Sequence, residues 1–83
     1  PSNRITAVAV DGRWNVWVGT ADSGAARFDG SNWVSMGQSQ GLGGESVYTI
    51  AVDLSDNKWF GTDAGVFKYN GKSFELVKMP AYR

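Results

Sequence analysis

Asp53, Ser55 and Asn57 stand two residues apart and offer three side-chain oxygens in the order that opens a calcium-binding loop. The remainder of such a loop does not follow. Its sixth position requires glycine for a sharp turn and holds Lys58, and its twelfth requires a bidentate glutamate and holds Ala64. Gly71-Lys72-Ser73 has the closing triplet of a phosphate-cradling loop, yet the position five residues before Gly71 is Val66, where that loop needs glycine. Histidine and cysteine are absent, which removes the common proton-transfer base, the thiol nucleophile and the usual zinc ligands. Asp53 and Asp56 are near enough in sequence for paired-carboxylate chemistry. As acids in an Asp- and Asn-rich turn, they read more simply as solvated turn residues. No catalytic residue, metal or cofactor is expected, and the chain is not expected to be an enzyme.

Whatever the chain does must therefore be done by surfaces. Eight Lys and Arg balance eight Asp and Glu, and the charges are scattered, unlike the basic stripe that binds nucleic acid or anionic membrane. No apolar run approaches the 18 residues that a membrane-spanning helix needs. Eleven glycines and four tryptophans in 83 residues point to many tight turns around a sheet-based core. A chain of this size buries only about 60% of its unfolded surface, and without cysteine no disulfide can add to that. Stability must come from apolar packing within the chain or between chains.

The elements that would carry such surfaces occur twice. Ala9, Val10, Asp11, Asn15, Trp17, Gly19 and Thr20 recur 42 residues later as Ala51, Val52, Asp53, Asn57, Trp59, Gly61 and Thr62. One residue is then dropped, and Gly24, Arg27, Phe28, Asp29, Gly30 and Trp33 correspond, 41 residues on, to Gly65, Lys68, Tyr69, Asn70, Gly71 and Phe74. A fixed period of this length is the signature of a repeat architecture. The expected units are residues 1–42 and 43–83. Joined end to end, a second copy would place its Ile5 14 residues after Phe74, the interval that separates Trp33 from Val47. A natural domain border could fall there, but such tiling is more simply expected of a deliberately trimmed or designed repeat.

Each unit reads as four short strands, at 5–10, 16–19, 25–28 and 32–35, and again at 47–52, 58–61, 66–69 and 73–77. Turns rich in Asp, Gly and Asn separate them, and Asp29-Gly30 and Asn70-Gly71 are strong hairpin signals. No window shows a 3.6-residue apolar period, so no helix is expected. The inner strands are apolar on both parities, as in Ala7-Val8-Ala9-Val10 and Trp17-Val18, whereas a sheet with one wet face alternates. With no helices to cover them, sheets must cover sheets, and two sheets alone leave one apolar face each.

Val-Tyr-Thr-Ile-Ala-Val-Asp (47–53), Asn-Lys-Trp-Phe-Gly-Thr (57–62) and Ala-Gly-Val-Phe-Lys-Tyr-Asn-Gly (64–71) together resemble the two-component regulator propeller repeat. Gly41-Leu42 matches the Gly-Leu that usually precedes a blade of that family. The resemblance covers essentially the whole chain, twice, and implies two four-stranded β-propeller blades of bacterial extracytoplasmic ancestry. Two departures stand out. Trp14 and Asp56 occupy the position where the family usually has glycine, and tiling would align Tyr82 and Arg83, not Gly-Leu, with Gly41 and Leu42.

The fold expected is all-β, with two antiparallel blades per chain closing into a full propeller by homo-oligomerisation. Four chains give eight blades, the favoured number, and three give six. Trp17 and Trp59 are expected to anchor the blade core, with Phe28 and Tyr69 beside them. Gly19 and Gly61 would mark a bend or a close backbone approach, and Asp11 and Asp53 would accept turn amides. Trp14, a large aromatic in a turn, is open to two readings, a partner contact or local packing. The functional expectation is a structural, self-assembling propeller fragment whose partner is itself, with no nucleic acid or membrane. The alternative is a ligand- or glycan-binding propeller of a sensor, using aromatics near loops such as Trp14, Trp33, Tyr48 and Tyr82.

Overall fold

The computed structural model describes residues 4–77. Eight strands follow in order: β1 (Ile5–Val10), β2 (Val16–Thr20), β3 (Ala25–Phe28), β4 (Trp33–Met36), β5 (Val47–Val52), β6 (Lys58–Thr62), β7 (Gly65–Tyr69) and β8 (Phe74–Val77). They form two separate antiparallel meanders, β1-β2-β3-β4 and β5-β6-β7-β8. Expected and observed strands differ by a residue at some ends. A single 3-10 turn at Gln38–Gln40, in the connection between the sheets, is the one helical element among the described residues.

The turns form for local reasons. Asp29 Oδ1 accepts the amides of Ser31 and Asn32, and Asn70 Oδ1 accepts those of Lys72 and Ser73 in the same place of the second sheet. Gly30 and Gly71 follow these caps with φ of 103° and 99°, a conformation in which a Cβ is strained. A bulge opens β1 between Ile5 and Ala7, and another opens β5 between Val47 and Thr49. The duplication thus extends to irregularities that no apolar pattern announces.

Register decides which residues share a face. Ala7, Gly19, Ala25 and Met36 lie side by side across the first sheet, and Ala9, Trp17, Arg27 and Val34 form the next row on that same face. In the second sheet, Ile50, Phe60, Phe67 and Leu76 form one row, and Val52, Lys58, Tyr69 and Phe74 a second on the same face. These two faces meet, with β1 and β2 against β5. The core contains Trp17, Ala25 and Met36 from one side, and Val47, Ile50, Phe60, Phe67 and Tyr69 from the other, with Leu42 supplied by the connection. Val47 sits so close over β2 that a Cβ on Gly19 would stand 2.6 Å from its Cγ1.

Each sheet keeps its other face open. On the first sheet the open face carries Val8 and Val10, 61% and 49% exposed, together with Val16, Val18, Ala26, Phe28 and Trp33. On the second it carries Thr49, Ala51, Trp59, Val66 and Val77.

Candidate functional site

The most developed constellation of polar groups lies where the β1–β2 turn meets the β5–β6 turn. Its centre is Asp11, whose carboxylate is buried at the end of β1. Oδ1 accepts the amides of Arg13 at 2.9 Å and Asn15 at 3.0 Å. Oδ2 accepts Asn15 Nδ2 at 3.1 Å and the Trp17 indole N–H at 2.9 Å. Burial opposes the charge, but the indole, then the Arg13 amide, then the two Asn15 donors outweigh it and hold the carboxyl far below the usual carboxylate range. The indole of Trp17 is fixed in turn, packed edge-on against Phe60 at 5.6 Å and tilted against Tyr69 at 5.4 Å.

Asp53 repeats the motif. Its Oδ1 accepts the amides of Ser55 and Asn57, and its Oδ2 accepts Asn57 Nδ2 and the Trp59 indole N–H. The indole above all, and then the Asn57 amide, lower its pKa against a smaller opposing effect of burial. The Asp53, Ser55 and Asn57 spacing that mimics a calcium loop is thus a turn in which both carboxylate oxygens are taken by the chain's own donors. Among the described residues no group of three or more carboxylates gathers in a way that could hold a metal ion.

The two turns are joined by Lys58 and Asp56. Lys58, 7% exposed, places Nζ 3.4 Å from Asp11 Oδ2 and 3.3 Å from Asp56 Oδ2, while lying 5.7 Å from the Trp17 ring centroid. Asp56 Oδ1 accepts the Gly12 amide at 2.7 Å. A carboxylate of the second sheet therefore grips the turn of the first, and a buried ammonium bridges them. A cleft of about 410 Å³ opens beside this clasp, its wall including Arg13, Arg27, Tyr69 and Lys72. Arg27 lies 5.8 Å from the Trp17 centroid, and its Nε is buried without a hydrogen-bond partner.

The residues singled out from sequence fall into three groups. Asp11, Trp17, Gly19 and Tyr69 converge in the joint between the sheets, and Trp17 is only 1% exposed. Asp53, Trp59 and Gly61 form the same arrangement at the far side of the second sheet, where Lys68 Nζ stands 5.6 Å from the Trp59 centroid and Thr49 Cγ2 covers Gly61. Phe28 lies on the open face of the first sheet, its ring 4.9 Å from that of Trp33. Trp14 is 83% exposed and packs against neither sheet's core. Tyr82 and Arg83 lie outside the described residues. Sequence reasoning passed over Gly12, Asp56 and Lys58 as a set. The signal lay in the differences between the units, since their counterparts are Leu54, Trp14 and Val16. No family model, curated protein or solved structure matches the chain.

Proposed function

We propose that the chain is a structural, non-catalytic module that assembles with copies of itself, head to tail, into a closed β-propeller. One observation carries this reading. The face that the first sheet buries, centred on Trp17, has its repeat counterpart in the open face centred on Trp59. The face that the second sheet buries, with Ile50, Phe60 and Tyr69, has its counterpart in the open face with Val8, Val18 and Phe28. The chain thus holds one finished joint and the two halves of another. Joining the halves of different copies is a heterologous contact, which closes when the rotation per chain divides a full turn. Closure removes the open faces and leaves only short strand edges. The resemblance to the two-component regulator propeller repeat agrees with this reading.

With two sheets per chain, four copies make eight blades and three make six, and eight is the favoured number. Native mass in solution tests the proposal. Four times 9.0 kDa gives a species of about 36 kDa, and three times gives about 27 kDa. A cooperative, folded 9.0 kDa monomer at every concentration would overturn it.

A further inference from the structure

We infer that the joint between copies is closed by a contact of Trp14 of one copy on Leu54 of the next, an apolar replacement for the polar clasp within the chain. The inference rests on the head-to-tail reading and names the residues that would complete it.

The clasp inside the chain needs three residues: Gly12 on the first turn, and Asp56 and Lys58 on the second. Moving from the joint within the chain to the joint between copies, the first turn becomes 53–57 of one copy and the second becomes 11–15 of the next. Gly12 is then replaced by Leu54, Asp56 by Trp14 and Lys58 by Val16. All three replacements are apolar, and they change together on both sides of one contact. Polar atoms give way to apolar ones in matched positions.

The backbone supports the substitution. Trp14 and Asp56 are the two non-glycine residues with positive φ among those described, at 67° and 65°. The turn hydrogen bonds are also the same: Trp14 N to Asp11 O at 3.1 Å, and Asp56 N to Asp53 O at 3.0 Å. The Cα–Cβ bond of Trp14 therefore leaves its turn in the direction that carries Asp56 to its neighbour's turn. A bulky residue in this conformation is uncommon and strained, so glycine would suit the turn better if the side chain had no task.

Exposure supports it as well. Trp14 and Leu54 are the two most exposed large apolar residues of the described chain, Leu54 being fully exposed. Trp14 lies in the turn between β1 and β2, and Leu54 in the matching turn between β5 and β6. Single exposed apolar residues are ordinary, but two in the matching turns of the two units, next to complementary open faces, form a pair. The occupant is a second copy, because the surface that matches each half is present on the chain itself.

Leu54→Asp and Trp14→Gly test the contact, with dilution of the assembled protein followed by native mass and by far-ultraviolet circular dichroism. Each change lies in an exposed turn and is expected to keep the sheets while raising the concentration at which assemblies dissociate by about tenfold or more. The triple variant Trp14→Asp, Val16→Lys, Leu54→Gly rewrites the joint with the residues of the clasp. It is expected to assemble again and to be more sensitive to salt than the wild-type protein, whose proposed contact is apolar. A fold-independent check uses the absence of cysteine. Copies carrying Trp14→Cys mixed with copies carrying Leu54→Cys should form a disulfide-linked pair under mild oxidation, while neither alone should. Wild-type assembly with an unchanged midpoint in both single variants and no cross-linked pair would overturn this contact and leave assembly standing. A wild-type protein that stays monomeric would overturn assembly and the contact together.

Discussion

Replacing Trp17 by phenylalanine keeps an aromatic ring among Phe60 and Tyr69 and removes one N–H group. That group is donated to Asp11 Oδ2 at 2.9 Å, inside the core. A hydrogen bond to a charged acceptor contributes about 1.5–3 kcal/mol, and the smaller ring leaves part of a cavity unfilled, so a total loss of about 2–4 kcal/mol is expected. Asp11→Asn removes the same contact from the other side. Its carbonyl oxygen can still receive the Arg13 and Asn15 amides, but its NH₂ then faces the indole and the Lys58 ammonium. Urea unfolding of wild type, both single variants and the double variant, at one fixed protein concentration, completes a double-mutant cycle. With slopes of about 1–3 kcal/mol/M, the Trp17→Phe midpoint should fall by roughly 1 M or more. The coupling between the two sites should be about 1.5–3 kcal/mol. A coupling below about 0.5 kcal/mol would show that the indole–carboxylate bond contributes little to the stability of the fold.

Acid should loosen the chain in a defined window. Asp11 and Asp53 are held below their ordinary pKa by the hydrogen bonds they accept, so their stabilisation is complete above about pH 4 and is lost as pH falls further; a thermal midpoint that stays flat from pH 5 to about pH 2 would contradict this. Gly19→Ala should cost about 1–3 kcal/mol, because its Cβ would meet Val47 Cγ1 at 2.6 Å, and thermal unfolding would reveal it. Trp59→Ala should cost about 3–5 kcal/mol where its face is closed by a second copy, and less in dilute protein. An unchanged midpoint at all concentrations would show that Trp59 belongs to no core.

The secondary structure was legible because the duplication fixed each strand twice and the Asp29-Gly30 and Asn70-Gly71 turns marked the last hairpin of each unit. The Asp–Trp pairs were legible only in part. Asp11 and Asp53 could be placed as turn acceptors from their type, but the indole bond arises because a strand alternation brings residue 17 or 59 back over the turn. The calcium-like spacing at Asp53 was a real regularity of oxygen atoms, and its cause is the same turn. Lys58 was not legible. A lysine in an apolar strand reads as an edge or surface residue, and only the tertiary approach of Asp11 and Asp56 explains its burial. Leu42 is a similar case, a connection residue buried completely because the two sheets close over it. The bulges at β1 and β5 have no local composition signal and emerge only from cross-strand register.

The left-handed turn shared by Trp14 and Asp56 has a consequence for partner choice. Two closely similar units on one chain invite mispairing, in which a unit meets its own kind from another copy, because either arrangement would bury the same kind of strand face. Here the side chain borne at this one backbone position differs between the units. A mispaired joint that set Asp56 and Lys58 against Leu54 would bury two charges on a leucine, and one that set Trp14 against the Gly12 turn would leave Asp11 without its ammonium. In the proposed ring either mismatch would carry a desolvation penalty that the matched joints avoid. If the chains assemble as proposed, a single strained turn would work as an address, telling each unit which neighbour belongs on which side.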